Sequence, residues 1–203
     1  MLEKIINGTR QITYYILGNI LGRIMYNSEF FPKGRWFSNW RSQGWKWVIA
    51  DFWGRIFLKQ NKGVKFPCSP FSVIGGNGNA IKFDVNDLDN FHSPNCYFQV
   101  WDAQIHIGQG TYIAPGVGII TSNHDVYDLD KRRDVSDVHI GKCCWIGMNA
   151  IILPGVTLGD HTIVGAGSVV TKSFSEGYRV VGGNPAKTVK LLDKEECRDN
   201  NKK

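Results

Sequence analysis

The sequence predicts an all-β fold, a parallel solenoid of short strands, preceded by a helical or irregular tryptophan-rich segment. Three observations carry that expectation. Counting from Ile107, apolar residues recur every six positions at Ile113 and Ile119, and again at Ile140, Ile146, Ile152, Leu158, Val164 and Val170. The beat is suspended across TSNHDVYDLDKRRDVSDVHIG, residues 121–141, where a histidine is followed by a run of charges. Before residue 60 there is no beat, and five tryptophans are interleaved with basic residues.

The beat has a mechanical reading. Seven of its residues are preceded, two places earlier, by a small or branched residue: Thr111, Val117, Cys144, Ala150, Val156, Thr162 and Ser168. Gly108, Gly141, Gly147, Gly159 and Gly165 follow their apolar residue directly. Each hexapeptide then makes one flat strand and one turn, with the apolar residue on the axis and the small one at the corner. Three of them close a coil of about eighteen residues, and stacked coils bury one continuous core. Residues 107 to about 174 hold three clean coils. Upstream, VIGGNGNAIKFDV and NCYFQVWDAQIHIG read as one or two degenerate coils starting near Val73, with Trp101 on the six-residue beat. The expected organisation is a basic segment over 1–65, a solenoid over 66–192 with a protruding loop at 122–139, and a charged tail over 193–203.

Composition narrows the function classes. Of 203 residues 42% are apolar, enough for a buried core. The net charge of +6 resides in residues 1–60, where nine Lys and Arg face Glu3, Glu29 and Asp51. Cys68, Cys96, Cys143, Cys144 and Cys197 match no zinc-site spacing. With no secretion signal legible they are expected to be reduced thiols of a cytoplasmic protein. ITYYILGNILGRIM has Ile16, Ile20 and Ile24 one helical turn apart, yet the run between Arg10 and Arg23 is too short to span a bilayer. Trp36, Trp40, Trp45, Trp47 and Trp53 among Arg35, Arg41, Lys46 and Arg55 leave two readings open. Residues 1–60 either cap the solenoid or make peripheral contact with a membrane surface. No nucleic-acid motif accompanies the charge.

HIGKCCWIGMNAIILPGVTLGDHTIVGAGSVVTKSF followed by VVGGNPAKTVK resembles the hexapeptide-repeat acyltransferases: the galactoside, maltose and colanic-acid O-acetyltransferases and those of capsular polysaccharide assembly. The resemblance covers roughly residues 70–192 and implies a left-handed parallel β-helix, a homotrimer and acetyl-CoA as donor substrate. In such enzymes the loop that interrupts the coils carries a catalytic base, and His124 occupies that position. An imidazole has the basicity to take a proton from a sugar hydroxyl near neutral pH. What orients its ring is left open between a carboxylate and a backbone carbonyl. Asn123 and Asp125 stand beside it as acceptor-binding candidates. Asp128, Asp130, Lys131, Arg132, Arg133, Asp134 and Asp137 read as a solvated lid and intersubunit pairs.

The same resemblance assigns the donor side. Trp145 matches the tryptophan that packs against the pantetheine arm. Gly147, Met148 and Ala166 would offer backbone amides to the arm or to the thioester oxygen. Thr171 and Lys172 match adenine and phosphate contacts, and Lys187 and Lys190 fall where relatives carry arginines for the 3′-phosphate. No metal is expected: His92, His106, His139 and His161 form no cluster recognisable from sequence. The expected function is transfer of acetyl from acetyl-CoA to a hydroxyl of a sugar or polysaccharide precursor. N-acyl transfer to an amino sugar, serine acetylation and a non-catalytic scaffold remain as alternatives.

Overall fold

All nine residues of the six-residue beat, Ile107 to Val170, are at most 5% exposed. The seven small or branched residues that precede them are buried as well. The computed structural model in which they do so describes residues 2–197, with side chains from residue 6 onward. Met1, and residues 198–203 of the tail expected over 193–203, lie outside the described residues.

Two helices come first, α1 (Leu2–Met25) and α2 (Gly44–Phe57), with a 3₁₀ turn at Arg35–Phe37 between them. Five coils follow. The first is β1 (Val73–Gly76), β2 (Ile81–Lys82) and the 3₁₀ turns of Val85–His92. The second is β3 (Tyr97–Val100), β4 (Ile105–Ile107) and β5 (Tyr112–Ile113). The third opens with β6 (Gly118–Ile120), makes an excursion through β7 (Asn123–His124) and β8 (Arg132–Arg133), and returns as β9 (Val138–Ile140) and β10 (Trp145–Ile146). β11 (Ile151–Ile152), β12 (Thr157–Leu158) and β13 (Thr162–Val164) form the fourth. β14 (Val169–Val170) and β15 (Arg179–Gly182) belong to the fifth, and β16 (Lys187–Leu191) folds back on β15.

The strands stack into three faces. Face one is β1-β3-β6-β11-β14, face two β2-β4-β9-β12, and face three β5-β10-β13-β15-β16. Every ladder between coils is parallel; β15–β16 and the ribbon β7–β8 are antiparallel. Close stacking constrains Gly147, where a Cβ would lie 2.6 Å from the Val164 carbonyl oxygen and 2.7 Å from the Ala166 nitrogen.

Trp101 departs from expectation. β3 buries Phe98 and Val100, and residues 101–103 are inserted at the corner before β4, so the beat slips and Trp101 stands 49% exposed. The corner that receives these residues joins faces one and two, as does the one that releases the β7–β8 excursion a coil later.

The N-terminal segment packs on the first coil. Trp45 is 2% exposed and meets Tyr15, Phe31 and Phe37 edge-on. Trp47 stacks on His92 at 3.8 Å, and Trp36 donates its indole N–H to the Asn86 carbonyl at 2.9 Å. An aromatic chain, Phe30–Phe66–Phe91–Phe98, carries the core from this segment into the prism. Beneath it Asp51, buried, accepts from the Tyr26 hydroxyl at 2.6 Å and from the Arg55 guanidinium at 2.8 and 2.9 Å. Burial beside Asp51 holds the Tyr26 hydroxyl well above its ordinary value. Trp40 and Trp53 stay exposed, as does the Ile16, Ile20, Ile24 row of α1, because that helix packs through its opposite side, where Gly18 and Gly22 admit Trp45 and Phe31. No described helix is long and apolar enough to cross a membrane.

Candidate active site

The interruption of the beat is a hairpin-like excursion. Its base is clamped by Gln99, whose side-chain oxygen accepts the Thr121 and Ser122 amides, each at 2.9 Å, while Thr121 donates its hydroxyl to the Gln99 carbonyl. The Ser136 amide closes onto the Thr121 carbonyl at 2.9 Å, and Asp137 accepts the Gln104 amide at 2.8 Å. Within this frame β7 and β8 pair His124 with Arg132 and Asn123 with Arg133.

His124 is exposed, and its Nδ1 lies 2.6 Å from the Leu129 carbonyl oxygen. A carbonyl only accepts, so Nδ1 carries the hydrogen and Nε2 presents a lone pair. The orienting group is thus a backbone carbonyl of the loop itself. Asp125 is engaged elsewhere: one carboxylate oxygen accepts the Tyr127 and Asp128 amides at 2.8 and 3.2 Å, and the other lies 3.7 Å from Arg133. It shapes the turn that delivers Leu129.

A pocket of about 220 Å³ is lined by Gln99, Trp101, Ser122, Asn123, His124 and Arg132. Arg132 sits over the Trp101 ring at 5.3 Å and pairs with Asp102. Gln99, Trp101, Ser122 and Arg132 are the members that sequence reasoning did not assign to the site; Arg132 was read as part of a solvated lid and Trp101 as a coil residue. The signal for Trp101 was its place one coil before the loop, at the same corner. The loop charges expected to pair between subunits find partners within the chain: Lys131 with Asp128 at 2.8 Å, Arg133 with Asp125 and Asp134 at 3.7 Å. The apolar tip does not, and Val126, Tyr127 and Leu129 are 74%, 93% and 71% exposed.

The residues expected on the donor side lie on and around face three. Trp145, 54% exposed, stands in one register row with Tyr112, Ile163, Val180 and Lys190. Lys187 pairs with Gly182 further along β16, and that strand is exposed throughout. Gly147 commits its N–H to the Val164 carbonyl at 2.8 Å, so the expectation of a free amide fails there. Met148 follows it at the corner, half exposed, and donates nothing to Gly167, whose N–H it accepts at 2.8 Å. Ala166 occupies the matching corner one coil on. Thr171 and Lys172 are exposed beyond β14, with the Lys172 ammonium 5.8 Å from the Phe174 ring. The row and the His124 pocket lie on different sides of the prism.

Two histidines do come together. His106 and His139 are register partners on face two, their rings stacked at 4.4 Å, with Asp137 Oδ2 3.8 Å from His106 Nε2. Burial, with His139 adding to it, pushes His106 below its ordinary value.

Residues 137–172 match the family described as bacterial transferase hexapeptide (six repeats). The matched residues fall within the third to fifth of the stacked coils, where the six-residue beat is clean. Over 107 residues it is 34% identical to galactoside O-acetyltransferase of Escherichia coli K12, covering 51% of this chain and 52% of that one. Over 54 residues it is 52% identical to chloramphenicol acetyltransferase of Agrobacterium fabrum, covering 27% of this chain and 25% of that one. A solved maltose O-acetyltransferase from Clostridium difficile 630 matches 91% of this chain and 89% of its own, at 22% identity and a TM-score of 0.45. The chain covers about half the length of the galactoside O-acetyltransferase and a quarter of the chloramphenicol acetyltransferase.

Proposed function

We propose that this chain is an acetyl-CoA-dependent O-acetyltransferase that modifies a hydroxyl of a sugar or polysaccharide precursor, working as a homotrimer of left-handed prisms. The observation that carries the reading is the 2.6 Å contact between His124 Nδ1 and the Leu129 carbonyl. It fixes the tautomer in which Nε2 is basic, at the mouth of a pocket walled by an aromatic face and a guanidinium, Trp101 and Arg132. A tryptophan face suits the apolar side of a pyranose, and polar groups around it suit the hydroxyls.

In the reaction His124 Nε2 takes the proton of the acceptor hydroxyl as its oxygen attacks the thioester carbonyl. The tetrahedral intermediate collapses, the C–S bond breaks, and the imidazolium returns its proton to the departing thiolate. The donor lies along face three, with its pantetheine arm on the Trp145 to Lys190 row and its phosphates toward Lys172, Lys187 and Lys190. The Met148 and Ala166 corners supply amides where Gly147 does not. Because His124 and the row lie on different sides of one prism, a productive site takes His124 from one copy and the row from the next. The exposed tip, Val126, Tyr127 and Leu129, is the surface that meets the neighbour.

The domain division follows: residues 1–65 cap the prism, 66–192 form the transferase, and 193–203 are a tail. The packing of Trp36, Trp45 and Trp47 supports the cap over the membrane reading. The test is thiol release from acetyl-CoA against a panel of sugars, amino sugars and serine. Transfer to hydroxyl sugars supports the reading, amine acceptors alone favour N-acyl transfer, and no turnover with any acceptor favours a scaffold.

A further inference from the structure

His106 and His139 occupy the same position of successive coils, each placed directly before a beat residue, Ile107 and Ile140. In-register parallel strands hold such side chains about 4.8 Å apart by the backbone alone. Their rings are stacked at 4.4 Å with planes 14° apart. Asp137 reaches the pair from the end of the loop, where its Oδ1 is held by the Gln104 amide at 2.8 Å and its Oδ2 lies 3.8 Å from His106 Nε2. One ligand atom from each of the three lies within 4.8 Å of the others. The neighbour on the other side, Lys82, gives its ammonium to the Asn79 carbonyl at 3.0 Å.

We propose that His106, His139 and Asp137 bind a divalent transition metal ion, Zn²⁺ first, at the foot of the loop on face two. Two imidazoles and a carboxylate are the ligand chemistry of Zn²⁺, Co²⁺ and Ni²⁺, and three protein ligands leave a position for water. Metal bonds of about 2.0–2.2 Å require donor atoms roughly 3.3 Å apart. Side-chain rotation is what must close the present spacing, since the backbones of His106 and His139 are fixed by the β4–β9 ladder and that of Asp137 lies between the Ser136 and Val138 amides, which bond the Thr121 and Gln104 carbonyls. The Asp137 Oδ1 bond is the kind of outer hydrogen bond that orients a metal-bound carboxylate. The ion joins the loop's last residue to the coil beneath it, so it braces the loop that carries His124. It takes no part in acyl transfer, and the site does not depend on the function proposed above.

The experiment uses the full chain, freed of any polyhistidine tag and stripped by chelator. Calorimetry with ZnCl₂ and the visible spectrum with CoCl₂ report occupancy. The expected result is one ion per chain with Kd in the micromolar range, and a melting temperature raised by about 5–10 °C at a hundredfold excess over Kd. His106→Gln and His139→Gln are each expected to weaken binding at least about thirtyfold and Asp137→Asn at least about tenfold, since a lost ligand should cost no less than the roughly 10–100-fold of a lost outer-shell partner. His124→Ala is expected to leave binding unchanged, separating this site from the loop histidine. Circular dichroism of the Gln variants without metal checks that the fold is intact. No binding by the wild-type chain at about 100 µM Zn²⁺, or wild-type affinity in the folded double variant His106→Gln with His139→Gln, overturns the proposal.

Discussion

The Leu129 carbonyl oxygen sits 2.6 Å from Nδ1 of His124, five residues back along the same loop. The proposed base and the carbonyl that orients its ring are therefore built by one turn, which Asp125 shapes by accepting the Tyr127 and Asp128 amides. His124→Ala is expected to lower acetyl transfer by about two to four orders of magnitude, the usual worth of a general base. Melting temperature and oligomeric state should hardly change, because the side chain is exposed. Thiol release at wild-type rate in the variant would remove His124 from the mechanism. Asp125→Ala should act through position, lowering turnover without abolishing it.

Trp101 and Arg132 stack across one wall of that pocket, which the proposed function takes as the acceptor side. Trp101→Ala is expected to raise the acceptor KM about tenfold, the loss of one aromatic contact of about 1–1.5 kcal/mol, and to leave the donor KM alone. A change confined to the donor KM would place the acceptor elsewhere.

Much of this was readable beforehand, and what was not has physical causes. The beat was legible because every coil offers the same two environments, an axis for Ile146 or Val164 and a corner for Cys144 or Thr162. The place of His124 on the excursion was legible because it stands where the beat stops. The Leu129 carbonyl was not, since a backbone acceptor has no side-chain identity to read. Trp101 was misplaced because three residues inserted at a corner displace the count without altering composition. His106 and His139 were hidden for a related reason: they are 33 positions apart, one coil plus the inserted loop, so their register shows only once the loop is excised.

The register row from Trp145 to Lys190 carries a prediction about the donor. Lys190→Ala and Lys187→Ala are expected to weaken acetyl-CoA about tenfold and the dephosphorylated donor little, since a charge-assisted contact is worth about 1.5–3 kcal/mol only where the phosphate exists. Lys172→Ala should follow them. Titration calorimetry with both donors separates the cases, and equal weakening would assign the lysines to another part of the donor or to the fold.

The loop tip carries one about assembly. Tyr127 is 93% exposed and Val126 74%, an apolar load at the end of an excursion otherwise rich in charge. If the tip packs on a neighbouring prism, Val126→Ser with Tyr127→Ser should weaken the trimer, each side chain contributing about 1.5–3 kcal/mol when buried. Sedimentation velocity across a dilution series reads this directly. A trimer of unchanged affinity would show that the tip stays in water.

His92 ties the tryptophan-rich cap to the first coil and makes that junction sensitive to acid. Its ring stacks on Trp47 at 3.8 Å and its Nε2 is buried without a partner. Burial, opposed by a hydrogen bond to the Pro67 backbone, lowers its pKa to about 3. An unfolded histidine titrates near 6.5, so above that pH both states are neutral and the group is silent. Below it the unfolded chain binds a proton that the folded chain refuses. Stability must fall with pH by up to about 1.4 kcal/mol per unit between about 6.5 and 3, which amounts to about 2 kcal/mol from pH 7 to pH 5. His92→Phe keeps a ring on Trp47 and removes the titration. Denaturant unfolding at the two pH values should show a drop in the wild type that is smaller by about 2 kcal/mol in the variant, whatever the variant's baseline stability. Equal drops in both proteins would mean that His92 takes up its proton in the folded state and that the junction opens to water.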